Sequence, residues 1–300
     1  MMVLGTTEQR NLKTVNIDLM NSYEIVQIIN EEDHRVAEAI KEVLPQIADA
    51  VDAIVEKLRN GGRLVYVGAG TSGRLGVLDA AECIPTYGSN QVIGIMAGGE
   101  SAMFIAKEGA EDSQELAVEQ LKEVNFCEKD IVCGIAASGR TPFVLGAFEY
   151  AHELGTKAIA IVNNRCSKVA EEADIAIEAV VGPEVVTGST RMKAGTADKM
   201  ILNILSTASM IRLGKVYSNW MVDLKVSNVK LVDRAERIVS QIAEVPQEEA
   251  AKVLKECGDV KTAIIMIKAG VNKDQAAQLL ASNEGIVGKV FQALGIQDIR

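Results

Sequence analysis

The chain has 300 residues, 48% of them hydrophobic and 24% charged, with a formal net charge of −10. That size allows one large domain, or a main domain with a small appendage, built on a substantial core. The acidic balance, without a Lys/Arg cluster longer than two, argues against a nucleic-acid backbone or an anionic membrane surface as partner and leaves room only for a small anion held by local backbone amides.

The opening stretch MMVLGTTEQRNLKT lacks the basic-then-apolar layout of a secretory leader. From Ser22 to Asn60 the spacing is helical, with Ile25, Ile28, Ile29, Val36 and Ile40 on apolar faces and Glu24, Glu31, Glu32 and Glu38 on polar ones, and Gly61-Gly62 ends it. Five short apolar runs follow: RLVYVG at 63, QVIGIMAG at 91, DIVCGIAA at 130, KAIAIVN at 157 and DIAIEAV at 174. Each is continuous rather than alternating, and helical segments separate them. This predicts an α/β fold in which a five-stranded parallel sheet is covered by helices on both faces.

After Gly182-Pro183 the sequence turns helical, over residues 189–214 and again from Val226 to Ile242. The run from Met200 is interrupted by Asn203, Ser206, Thr207 and Ser209, so it reads as a core helix and not a membrane span. Beyond Pro246 come short helical runs near 247–257, 259–269 and 272–281. The expected division is a main domain over 1–240 and a small C-terminal helical appendage over 241–300. Five scattered cysteines without C-x-x-C spacing point to a reducing compartment, and two histidines, His34 and His152, give a metal centre or triad little to work with. A soluble cytoplasmic protein is expected.

The chemistry gathers at the ends of the first and third runs. Gly68, Gly70 and Gly73 have the G-x-G-x-x-G spacing, but a dinucleotide fold also wants an acid ending the second strand, and here Glu100 follows only after Gly98-Gly99. Thr71 and Ser72 instead fill the turn between Gly70 and Gly73, before a helix expected near Arg74. Ser138, Gly139, Arg140 and Thr141 repeat the arrangement ahead of Pro142. Helix N-termini with free amides and adjacent hydroxyls bind phosphate. Two such turns in one sheet converge at its carboxyl edge, and one phosphate with a polyol explains both, whereas a single such turn is equally an N-cap. A third cluster, TGSTRMKAGTADK, adds Ser189 and Thr190, with Arg191 and Lys193 either supplying charge or only solvating a helix start.

With these turns, GAGTSGRLGVLDAAECIPTYG, AGGE, EGAEDS, GIAASGRTP and EVVTGSTRMKAGTADK resemble the bacterial N-acetylmuramic acid 6-phosphate etherases of the sugar isomerase (SIS) group, over residues 8–300. The resemblance implies a lyase of amino-sugar catabolism and peptidoglycan recycling, which cleaves the C3 lactyl ether by elimination and water addition. It implies two catalytic carboxylates, at Glu82 in DAAECIPTYG and Glu111 in EGAEDS, with Glu111 as base and Glu82 as acid. Ala81 stands where a serine is expected and Ile84 where a proline is common. An acid protonated near neutral pH needs an apolar setting, which Cys83, Ile84 and Pro85 are compatible with. Glu108 remains a rival base. No cofactor or metal is called for, since proton transfers and a phosphate anchor suffice.

A sugar-phosphate isomerase would share the fold and a carboxylate base; a non-catalytic sugar-phosphate sensor, like the animal glucokinase regulatory protein, would be expected to lose a carboxylate. One sheet unit per chain suggests a homodimer, with helices 22–60 and 190–214 as candidate faces.

Overall fold

The computed structural model describes residues 5–105, 107–224 and 229–296. The chain forms two compact units, one made of Met1–Ala81 and Gln91–Ser206, the other of Glu82–Asn90 and Thr207–Arg300.

In the first unit the stretch 22–60 is three helices, α1 (Ser22–Asp33), α2 (Arg35–Glu42) and α3 (Leu44–Arg59). Asn21 and Glu24 form a capping box at the start of α1, and Pro45 falls in the first turn of α3, where a missing amide costs nothing. The face of α3 carrying Ile47, Ala50, Val51, Ile54, Val55 and Leu58 is buried in the chain's own core, whereas α1 leaves Tyr23 and Val26 of the expected docking stretch exposed. Then follow β1 (Leu64–Gly68), α4 (Gly70–Tyr87), β2 (Val92–Met96), α5 (Gln114–Glu123), β3 (Ile131–Ile135), α6 (Pro142–Glu153), β4 (Ala158–Val162), α7 (Lys168–Glu171), β5 (Ile175–Glu178) and α8 (Lys193–Arg212).

All five strands are parallel, in the order β2-β1-β3-β4-β5. The central strands β1, β3 and β4 are buried at every residue, while the edge strands β2 and β5 are only partly so. That is why the central runs read as continuous apolar sequence. The winding reverses between β1 and β3, and Gly68 and Ile135 are register partners, so the turns that leave them start side by side. A reversal of this kind opens a crevice at the carboxyl edge.

The approach of α4 to β1 is backbone on backbone. A Cβ at Gly73 would stand 2.5 Å from the Gly68 oxygen, and one at Gly68 would stand 2.9 Å from the Gly73 nitrogen. No other residue type fits either position.

A buried charge network ties the N-terminal segment to the start of α8. Lys193 Nζ donates to Glu32 Oε2 and, at 2.8 Å, to the Pro183 oxygen; Asn11 Nδ2 donates to the same Glu32 oxygen at 2.9 Å. Burial pushes the Glu32 carboxyl up, but the Lys193 hydrogen bond and charge more than offset it and hold the group below its ordinary value of 4.5. Lys193 therefore neither solvates a helix start nor faces a ligand. Glu184 accepts the Lys193 and Ala194 amides at 3.1 and 2.9 Å and so caps α8.

The second unit contains a hairpin, β6 (Val216–Tyr217) with β7 (Trp220–Met221), and the helices α9 (Val229–Ala243), α10 (Gln247–Cys257), α11 (Val260–Ala269), α12 (Lys273–Ser282) and α13 (Val287–Leu294). The helix expected from Val226 is α9; residues 225–228 lie outside the described residues. The unit begins well before the expected residue 241. The reason is its core: Tyr217, Val222 and Leu224 bury their side chains with Leu254, Ile264 and Phe291, and the Tyr217 and Phe291 rings meet edge-on at 5.4 Å. Among the described residues no helix is long and apolar enough to cross a membrane.

Gly73→Ala is expected to cost roughly 2 kcal/mol or more, by driving a methyl group into the end of β1. Chemical denaturation measures it, and an unchanged midpoint would contradict the close approach. Lys193→Met takes from buried Glu32 its one buried cationic partner, leaving the exposed side chains of Lys13 at 3.3 Å and Arg35 at 3.8 Å, and should cost about 3 kcal/mol near neutral pH. Because Glu32 is held below 4.5, that stabilisation is present above this value and drains away as pH falls through it. The gap between wild type and Lys193→Met should accordingly narrow in acid, and Glu32→Gln in the same chain should recover part of the loss.

Candidate active site

At the end of β1 the chain enters α4 at Gly70, whose φ of +54° suits glycine, so the helix begins earlier than its expected start near Arg74. Thr71, Ser72 and Gly73 thus lie in the first helical turn, where backbone amides have no partner within the helix. Ser72 is buried and Thr71 half-buried.

The second turn leaves β3 beside it. Gly139 has a φ of +68°, and a Cβ there would stand 2.2 Å from Ser167 Oγ. Thr141 is the N-cap residue of α6 yet makes no side-chain cap bond, so its hydroxyl is not spent on the helix. Ser138 is half-buried, and Arg140 is exposed and unpaired among the described residues. A residue the sequence reading missed holds this turn: Asn164 Nδ2 donates to the Ser138 oxygen at 3.2 Å and to Thr7 Oγ1 at 2.9 Å.

The third cluster reaches the first through Gly195, where a Cβ would lie 3.3 Å from Thr71 Cγ2. Gly195 N donates to the Thr190 oxygen at 2.9 Å, which folds Ser189 and Thr190, both half-buried, over the start of α8. All three hydroxyl clusters belong to the first unit.

Glu111 stands in a short 3-10 turn, Ala110–Asp112, after Gly109 with φ +76°. It lines a hollow of about 190 Å³ together with Ala69, Gly70, Arg74, Lys107 and Glu108. The first glycine turn and the expected base therefore share one cavity, and Glu108, the rival base, shares it too. Arg74 fixes one wall, donating to the oxygens of Met103 at 2.9 Å and Ala102 at 2.8 Å.

Glu82 lies further along α4, is exposed, and is not among the residues lining this hollow. Of the residues expected to give it an apolar setting, Cys83 is buried while Ile84 and Pro85 are exposed. On a helix the neighbours of Glu82 are residues three and four away, and Cys83 points into the core instead. Of those, Leu78 and Pro85 are exposed, Thr86 is half-buried and Asp79 is buried.

Beneath the first turn lies an acid the sequence reading passed over. Asp198, on α8, is wholly buried and accepts a hydrogen bond from Ser72 Oγ at 3.2 Å. Burial pushes its carboxyl up to about 7, only partly countered by Ser72 and Asn163. A second buried acid, Asp79 on α4, is raised by burial and eased by Asn203, Ser206 and Tyr66. Both acids occupy apolar helix faces, Asp198 among Ala194, Ala197 and Ile201, which is the signal that could have revealed them.

The profile of the glucokinase regulatory protein N-terminal SIS domain matches residues 46–152, that of the SIS domain residues 114–208, and that of the C-terminal lid domain of glucokinase regulatory protein residues 218–257. Among solved structures, a putative phosphosugar isomerase from Bacteroides fragilis is 24% identical with a TM-score of 0.50, covering 65% of this chain and 94% of its own. A phosphoheptose isomerase from Francisella tularensis is 21% identical with the same TM-score of 0.50, covering 63% of this chain and 100% of its own. These likenesses establish the fold. Closer relatives are the N-acetylmuramic acid 6-phosphate etherases of Clostridium beijerinckii, 53% identical over 96% of both chains, and of Clostridium botulinum strain Okra, 56% identical over 96% of both. That of Photorhabdus laumondii is 52% identical over 96% of this chain and 97% of its own. With more than half of the aligned residues identical over 96% of its length, the chain belongs to the N-acetylmuramic acid 6-phosphate etherase family.

Proposed function

We propose that Glu111 and Glu82 are the base and acid of the etherase reaction, and that the turns at Gly70–Gly73 and Ser138–Thr141, with Ser189 and Thr190, hold the substrate's 6-phosphate. The reaction takes N-acetylmuramic acid 6-phosphate to N-acetylglucosamine 6-phosphate and D-lactate. The observation that carries the assignment is the hollow with Gly70 on one wall and Glu111 on another.

An ether oxygen is a poor leaving group, so the sugar must first open to the aldehyde, whose carbonyl acidifies the proton on C2. Glu111 removes that proton. The bond from C3 to the lactyl oxygen then breaks, its electron pair leaves with oxygen, and Glu82 supplies the proton that completes lactate. Water adds across the resulting double bond, with hydroxyl to C3 and hydrogen to C2.

We further propose that the enzyme is a cytoplasmic homodimer. On α4 the residues Leu78, Ala81, Glu82 and Pro85 share one exposed face, three apolar side chains around one carboxylate. Leu78 alone is 50% exposed. A second copy laid on this face would give Glu82 the apolar surroundings an acid needs, since desolvation disfavours the charged form. The same exposure distinguishes α4 from α3, whose apolar face is spent on the core.

Glu111→Gln and Glu82→Gln should each lose about 10²- to 10⁴-fold in the rate of D-lactate release, with the fold intact by circular dichroism. Undiminished turnover in either would remove that residue from the mechanism. Leu78→Arg should shift the protein to monomer in analytical ultracentrifugation and depress turnover with it; a dimer unaffected by this change would place the interface elsewhere.

A further inference from the structure

We propose that Asp198 is a positioning residue for the phosphate, held as the neutral acid beneath Ser72, and that its ionisation weakens binding of a phosphate monoester at the Gly70–Gly73 turn. The inference rests on the reading that this turn grips the substrate's phosphate.

Three observations lead there. Asp198 accepts from Ser72 Oγ at 3.2 Å, so it touches the helical turn whose free amides face the ligand. Its other oxygen, Oδ1, is buried with no partner. The Asn163 side chain lies beside this carboxyl, yet its Nδ2 is committed to the Ala179 oxygen at 3.0 Å, and its own Oδ1 is likewise buried and unpartnered. A buried carboxylate oxygen without a donor is expensive to leave so. A proton on Asp198 removes the buried charge that this oxygen would otherwise share.

Among the described residues no cation is placed to hold the ionised form. Cys133 on β3 is a thiol pushed up by burial and by the nearby Asp198 and Asp79. Asp79 on α4 is itself raised, and Lys199 acts on Asp79 rather than on Asp198. Lys193, earlier on α8, is committed to Glu32 and the Pro183 oxygen. Once ionised, Asp198 would set a negative charge under the turn that receives a phosphate dianion, in a buried place where water screens poorly. With burial raising its carboxyl to about 7, the change falls in the working range.

The test compares wild type with Asp198→Asn, which is neutral at every pH and offers the same shape. KM for N-acetylmuramic acid 6-phosphate is measured from pH 6 to 9 in both. The substrate's own second ionisation, near pH 6, affects both proteins alike and cancels in the ratio. The wild-type to Asp198→Asn ratio of KM should be flat below pH 7 and climb toward about tenfold per pH unit above it, one proton being lost for each phosphate released. The ratio of kcat should stay flat. A KM ratio flat throughout would overturn the proposal. Because Asp198→Asn could fail to fold, calorimetry on wild type alone provides a second reading. Binding of the product N-acetylglucosamine 6-phosphate at pH 8, in buffers of different ionisation enthalpy, should take up close to one proton per site, and no uptake would again overturn the proposal. Ser72→Ala and Thr71→Ala locate a failure: if neither raises KM, it is the phosphate reading of the turn that has failed.

Discussion

The close approach of β1 to the first turn of α4 is the constraint on which the rest of the carboxyl edge depends. Gly68 and Gly73 meet through their backbones, and no side chain can stand between them. Because the strand end and helix start are in contact, the amides of Thr71 and Ser72, which have no acceptor within the helix, are presented at the edge of the sheet rather than at the tip of a loose loop. The register of Gly68 with Ile135 then sets the Ser138 turn alongside. Sheet topology alone thus sets the two hydroxyl-rich turns side by side.

Much of this was legible because its physics is local. Strands buried on both faces need continuous apolar runs, and the runs at 63, 130 and 157 are continuous for that reason. The turns were legible through glycines needing left-handed backbone, Gly70 and Gly139, flanked by hydroxyls. The helical tail was read nearly in full, but its boundary was not. The hairpin β6/β7 has strands of two residues each, too short to show a period, and it is the burial of Tyr217 with residues far along the chain that draws the hairpin into the second unit.

What escaped is long-range or rotational. Ser72 and Asp198 are 126 positions apart, and Asn164 joins the Ser138 turn to Thr7 across 157 positions. No spacing rule foretells such pairs. The surroundings of Glu82 were hard to read for another reason: residues adjacent in sequence diverge by about 100° around a helix, so Cys83 faces the core while Glu82 faces out. Lys193 was ambiguous from sequence because a lysine in a helix's first turn is ordinarily solvated. Only the fold brings Glu32 within reach and turns it into a buried tie.

The glycine spacing after β1 is shared with dinucleotide sites, and the structure accounts for the difference. In those sites an acid closing the second strand receives a ribose. Here β2 runs into Ala97, whose amide donates to the Gly68 oxygen at 3.0 Å, and Arg74 holds Ala102 and Met103 by their carbonyls. The segment after β2 is thus bound back upon the turn, and the hollow left is about 190 Å³, below the roughly 300–1,000 Å³ of sites for larger ligands. Further along, the same connection between β2 and α5 carries Glu111 on the hollow's wall. The connection bound back upon the turn is therefore also the one that carries this carboxylate.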